Sequence, residues 1–112
     1  MKLINKTANG LIAFCDMHKC YHLEFGNIFL NLSGNELGAL RSYVQNTDYQ
    51  FYLEWNKRSI NRRKILLNIG SKNINLALHA IEFVELRELL SMKKKPELLN
   101  NKEVIGSEII YN

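Results

Sequence analysis

The sequence predicts an α+β domain of about six antiparallel strands, with two helices on one face. Three observations carry that expectation. Apolar residues alternate in short segments, which is the period of a strand. Twice, such a segment gives way to apolar residues three and four apart, which is the period of a helix. Finally, the two stretches where this happens resemble one another. NIFLNLSGNELGALRSYVQN (27–46) aligns without gaps on NINLALHAIEFVELRELLSM (73–92), with seven identities: Asn27/Asn73, Ile28/Ile74, Leu30/Leu76, Leu32/Leu78, Glu36/Glu82, Leu40/Leu86 and Arg41/Arg87. Unrelated segments of average composition would share roughly one or two. The chain thus reads as a duplicated strand-strand-strand-helix unit, about 8–47 and 49–93.

Each element follows from local residues. GLIAFC has strand composition. CYHLEF meets NIFLNL at Gly26-Asn27, a hairpin signal. Leu37, Leu40 and Val44 then form a helical stripe behind Ser33-x-x-Glu36, a capping box in which hydroxyl and carboxylate each satisfy a free backbone N–H. In the second unit YQFYLEW (49–55) reads as a strand, with Phe51, Leu53 and Trp55 on its core face and Tyr52 on the other. KILLNI turns through Gly70-Ser71-Lys72-Asn73 into INLAL. Phe83, Leu86, Leu89 and Leu90 form the second helical stripe, with His79 where Ser33 stands in the first. Glu82, Glu85 and Glu88 point away from the stripe, toward water. Lys93-Lys94-Lys95 suits the negative end of a helix dipole, and Pro96 ends the helix. The domain covers 1–95. The tail, 96–112, contains Ile109, Ile110 and Tyr111, and is expected to be an extra strand, a docking segment or partly disordered.

Composition excludes several classes. A chain of 112 residues, 46% hydrophobic and 23% charged, holds one globular domain with a core of its own. Asn5, Lys6, Thr7 and Asn9 interrupt any export signal, and no apolar run approaches the ~20 residues of a membrane span. With only Cys15 and Cys20 there is no disulfide framework. The expected compartment is the cytoplasm, with no membrane partner.

Two segments could carry chemistry. CDMHKCYH (15–22) gathers both cysteines and two of the three histidines. Thiolate and imidazole favour zinc, so Cys15, His18, Cys20 and His22 are candidate ligands. Cys20 and His22, two apart on a strand, share a face. The competing reading makes the cysteines small apolar residues, and a C-x4-C redox pair is a third. The second segment is 49–72, where Lys57, Arg58, Arg62, Arg63, Lys64 and Lys72 face Glu54 alone, a net +5. Tyr49, Phe51, Tyr52 and Trp55 precede the cations. Cations beside rings can hold single-stranded nucleic acid, the charges on phosphates and the rings on bases, so Trp55, Lys57, Arg58, Arg62, Arg63 and Lys64 form a candidate nucleic-acid surface. The competing reading is a core strand with a solvated face. No G-x-G-x-x-G, P-loop or G-x-S-x-G motif occurs.

CDMHKCYHLEFGNIFLNLSGNELGALRSYV resembles the N-terminal half of a small uncharacterised bacterial family with a Cys-bearing turn, an FGN hairpin and a following helix. The resemblance covers about the first half of the chain. It implies a bacterial protein of unknown function and carries over no activity. The reading that follows is a non-enzymatic interaction module, homodimeric through a sheet edge or the apolar tail. The alternatives are a zinc-binding domain and a single-stranded nucleic-acid-binding module.

Overall fold

Alternating apolar segments separated by short polar loops fold into a meander in the first third of the chain. A computed structural model describes residues 1–92. Strands β1 (Lys2–Thr7), β2 (Gly10–Cys15), β3 (Cys20–Phe25) and β4 (Ile28–Leu32) form one antiparallel sheet in the order β1-β2-β3-β4. The β3–β4 connection is the expected tight turn. Phe25 pairs with Ile28, and Gly26 takes φ +60, which glycine adopts without a Cβ penalty. The Gly26 N–H also donates to the Asn9 carbonyl at 2.9 Å, joining two loops at one end of the sheet. Pairing in register places Ile12, Leu23 and Leu30 on the inner face and Ala13, His22 and Asn31 on the outer face. Ile12 and Leu23 are buried.

Helix α1 (Gly34–Gln45) starts at the expected capping box. The Glu36 N–H donates to Ser33 Oγ at 3.1 Å, and the Ser33 N–H donates to Glu36 Oε1 at 2.8 Å. Leu37 and Val44 are buried, and α1 packs on β3 and β4.

The next segment corrects the sequence reading. Tyr49–Trp55 is not a strand but a helix, α2, whose first turn is capped by the Asp48 side chain accepting from the Gln50 N–H at 3.1 Å. A helix satisfies its backbone internally, whereas a strand here would need a neighbour. Tyr49, Tyr52 and Leu53, spaced three and four apart, lean on the core. Phe51 and Trp55, expected inside, are exposed instead.

Strands β5 (Ile65–Asn68) and β6 (Asn75–Leu78) form a second, separate antiparallel sheet. The six strands are therefore split four and two, not joined in one sheet. Helix α3 (Ala80–Ser91) follows, and its bounds lie 46 residues beyond those of α1 at both ends. The wider three-strand unit does not recur, because β1 precedes the first copy and α2 opens the second.

Helix α3 carries the fold. Phe83, Leu86, Leu89 and Leu90 are all buried, and α3 packs against β1, β2, β6, α1 and α2. A single core joins Ile12, Leu23 and Phe25 of the first sheet with Ile65, Leu67 and Leu78 of the second. Its polar side is engaged too. Glu85, expected to solvate the surface, accepts from Thr7 Oγ1 (2.7 Å), the Asn9 N–H (2.6 Å) and Asn9 Nδ2 (2.9 Å). Asn5 Nδ2 donates to the Leu89 carbonyl at 2.9 Å. The β1–β2 hairpin is thereby clamped onto the last helix. The expected tail, 96–112, and the Lys93–Pro96 helix stop lie outside the described residues.

Candidate interaction surfaces and the cysteine hairpin

The β2–β3 ladder ends in the pair Cys15↔Cys20, directly across from one another and joined by the loop Asp16–Lys19. Both thiols are free and half-buried. Lys19 takes φ 53, so the chain turns back sharply just before Cys20. The loop brings His18 beside Cys15, with its Nδ1 3.4 Å from Cys15 Sγ. The His18 backbone N–H holds the Cys15 thiol below its ordinary range; desolvation opposes it, and the His22 side chain adds to the lowering. His22 itself pairs through Nδ1 with Asn31 Oδ1 and stacks on Phe29, ring centroids 5.3 Å apart. The four sequence candidates thus lie at one end of one hairpin, Cys15 bonded to His18 and His22 to Asn31. Among the described residues, no group of three or more His, Cys, Asp or Glu side chains is arranged to hold a metal ion.

The basic segment has a different geometry from the one expected. Its loop is stapled from within. Asn56 Nδ2 donates to the Lys64 carbonyl at 2.8 Å, and Lys64 Nζ turns inward to the Ser59 carbonyl at 2.8 Å. Arg63 forms a two-pronged pair with Glu82, at 2.9 and 3.1 Å, and Lys57 pairs with Glu54 at 2.7 Å. Among the described residues, Arg58 and Arg62 make no ion pair. On α2, at the start of the same segment, the Phe51 and Trp55 rings stack with centroids 5.6 Å apart and planes 17° apart. Trp55 is 75% exposed and Ile60 fully so. The result is an exposed aromatic ridge on α2, followed in sequence by two arginines that make no ion pair among the described residues. The helical spacing that turns Phe51 and Trp55 outward was present in the sequence as Asp48 followed by Tyr49, Tyr52 and Leu53.

The two edges of the larger sheet are unlike. Strand β1 bears Lys2 and Lys6 and a register shift between Leu3 and Asn5, features that discourage pairing with another chain. Strand β4, Ile-Phe-Leu-Asn-Leu, has no charge, no proline and an unbroken register. Among the described residues, nothing pairs with its outer side. Phe29 on this strand is 56% exposed. The sequence reading expected a sheet edge to matter without identifying which.

These features define a small α+β protein with, among the described residues, six antiparallel strands in two sheets and three helices. No helix among the described residues is long and apolar enough to cross a membrane. The chain belongs to the family of unknown function DUF6686, whose model matches residues 1–112, so the family likeness extends well past the first half. No curated protein and no solved structure matches the chain.

Proposed function

We propose that the protein is a non-enzymatic interaction module that pairs with a second copy of itself through the open edge of β4. The observation that carries this is the contrast between the guarded β1 edge and the unguarded β4 edge. An edge strand leaves a row of backbone N–H and C=O groups without partners, and a second strand satisfies them. The ridge at Trp55 is cationic, so two copies of it repel. The β4 edge carries no charge, so two copies can meet. A twofold axis at Leu30 sets Phe29 opposite Asn31 of the second copy and extends the sheet to eight strands.

Sedimentation velocity on the full chain tests this. The expected species has twice the 13.1 kDa chain mass. The double variant Phe29→Lys/Asn31→Lys sets like charges opposite one another across the axis, and both positions are exposed, so the fold is kept. Its expected species is the monomer. A monomeric wild type, or a dimer untouched by the double variant, overturns the reading, and a tail strand covering β4 would give the first result.

A second reading rests on the ridge. Exposed stacked rings, with Arg58 and Arg62 following in the same segment, suit single-stranded nucleic acid, whose bases stack on aromatics. It ranks second because Lys57, Arg63 and Lys64 are occupied within the chain.

A further inference from the structure

We infer that Cys15 and Cys20 form a thiol–disulfide site that reacts with peroxides, Cys15 attacking and Cys20 resolving. Three observations assemble it. The two residues are direct cross-strand partners. Such partners hold their Cβ atoms about 4.5–5.5 Å apart, close to the roughly 3.5–4.5 Å that a disulfide spans, so a small closure at the end of a hairpin suffices. Both thiols are half-buried and neither is in a disulfide, so a small oxidant reaches them without unfolding. The surroundings also distinguish them. Cys15 has the His18 ring at 3.4 Å, while Cys20 has no side-chain hydrogen bond among the described residues. With His22 Nδ1 engaged by Asn31, His22 Nε2 is the nitrogen free to accept a proton on this face. A thiolate, not a thiol, is the nucleophile, so Cys15 is the one that reacts.

The chemistry balances with hydrogen peroxide or an organic hydroperoxide as oxidant. The Cys15 thiolate attacks one peroxide oxygen, the O–O bond breaks, and the leaving oxygen takes a proton to become water or an alcohol. Cys15 is then a sulfenic acid. The Cys20 thiolate attacks that sulfur, the S–O bond breaks, and the hydroxide leaves as water once protonated. Each sulfur has lost one electron and each peroxide oxygen has gained one. A small dithiol reverses the bond by exchange. A half-buried disulfide at the rim that closes only the short loop Asp16–Lys19 constrains little of the chain, which suits a signal more than a staple.

Intact-protein mass spectrometry of the full chain with and without hydrogen peroxide tests this. The expected result is a loss of about 2 Da, restored by dithiothreitol. Cys20→Ser is expected to accumulate a dimedone-reactive sulfenic acid at Cys15. Cys15→Ser is expected to leave Cys20 unmodified at the same dose. Both sites lie at the rim, so the variants keep the fold, checked by circular dichroism. Absence of the 2 Da loss, oxidation that joins two chains, or Cys20 reacting before Cys15 overturns the assignment.

Discussion

Gly10 opens β2 in close contact with α3. A methyl group placed on it meets Leu89 Cδ2 at 2.8 Å, the Glu24 carbonyl oxygen at 2.9 Å and Phe25 Cδ1 at 2.9 Å. Two of these belong to side chains locked in the core, Leu89 and Phe25. The third is backbone in the neighbouring strand, and moving it disturbs the β2–β3 ladder. Forcing one carbon into a packed site costs about 1–3 kcal/mol. The lost freedom of the unfolded chain gives back about 0.4–1 kcal/mol. Gly10→Ala is therefore expected to lose about 1–2 kcal/mol net, lowering the urea midpoint by about 1 M at a slope of roughly 1–3 kcal/mol/M. Gly38→Ala is the internal control. It sits inside α1 with nothing within 4 Å of the added carbon, so it is expected to gain about 0.5–1 kcal/mol. Two glycine-to-alanine changes in one protein should thus move the midpoint in opposite directions. A neutral or stabilising Gly10→Ala would refute the close approach of β2 and α3.

Acid should loosen the clamp at Glu85. Hydrogen bonds from the Asn9 and Thr7 side chains, and then the Asn9 N–H, hold this carboxyl below the usual carboxylate range; the Arg63 guanidinium does the same for Glu82. A folded-state value below the unfolded one gives stability that is full above the unfolded value, about 4.3, and is lost as pH falls through the folded value. Thermal melts at about pH 6 and pH 3 should therefore show a smaller drop for Glu85→Gln than for the wild type, an equal drop counting against the clamp. For the ridge, the sole tryptophan reports directly: oligothymidylate should quench Trp55 emission, with a log–log salt slope near −1.4 if Arg58 and Arg62 each meet one phosphate. Absence of quenching would exclude the nucleic-acid reading, and quenching that survives Arg58→Ala with Arg62→Ala would exclude a role for the two arginines in it.

The elements visible in the sequence were those whose local chemistry had one solution. Gly26-Asn27 between alternating strands admits a tight hairpin, and Ser33-x-x-Glu36 admits a helix start. The stripe Phe83, Leu86, Leu89 and Leu90 fits a helix and no strand. YQFYLEW had two solutions, since aromatic residues on alternate positions also include a set three and four apart. What decided it was the neighbourhood: core on one side for Tyr49, Tyr52 and Leu53, and Asp48 ready to cap. Strand β1 gave no signal because its polar Asn5 and Thr7 point to α3, where they bond to the helix instead of to water. For the site, the cysteines and histidines were found as a cluster in sequence, but their pairing needed the register. The sequence presented the basic segment as one group, and only the fold reveals which of its cations are engaged within the chain.

The clasp between β1 and α3 has a bearing on how the chain is made. Thr7 and Glu85 are 78 residues apart, and Asn5 and Leu89 are 84 apart. On the ribosome, the first sheet emerges long before the helix that covers its inner face. Its β1–β2 hairpin waits with Ile12 lacking its α3 cover until residue 91 has left the exit tunnel. Closure over so long a loop is slow, and a sheet with bare apolar residues is exposed to aggregation in the meantime. Nascent chains that stall before α3 are thus natural clients for a chaperone that recognises unsheltered strands.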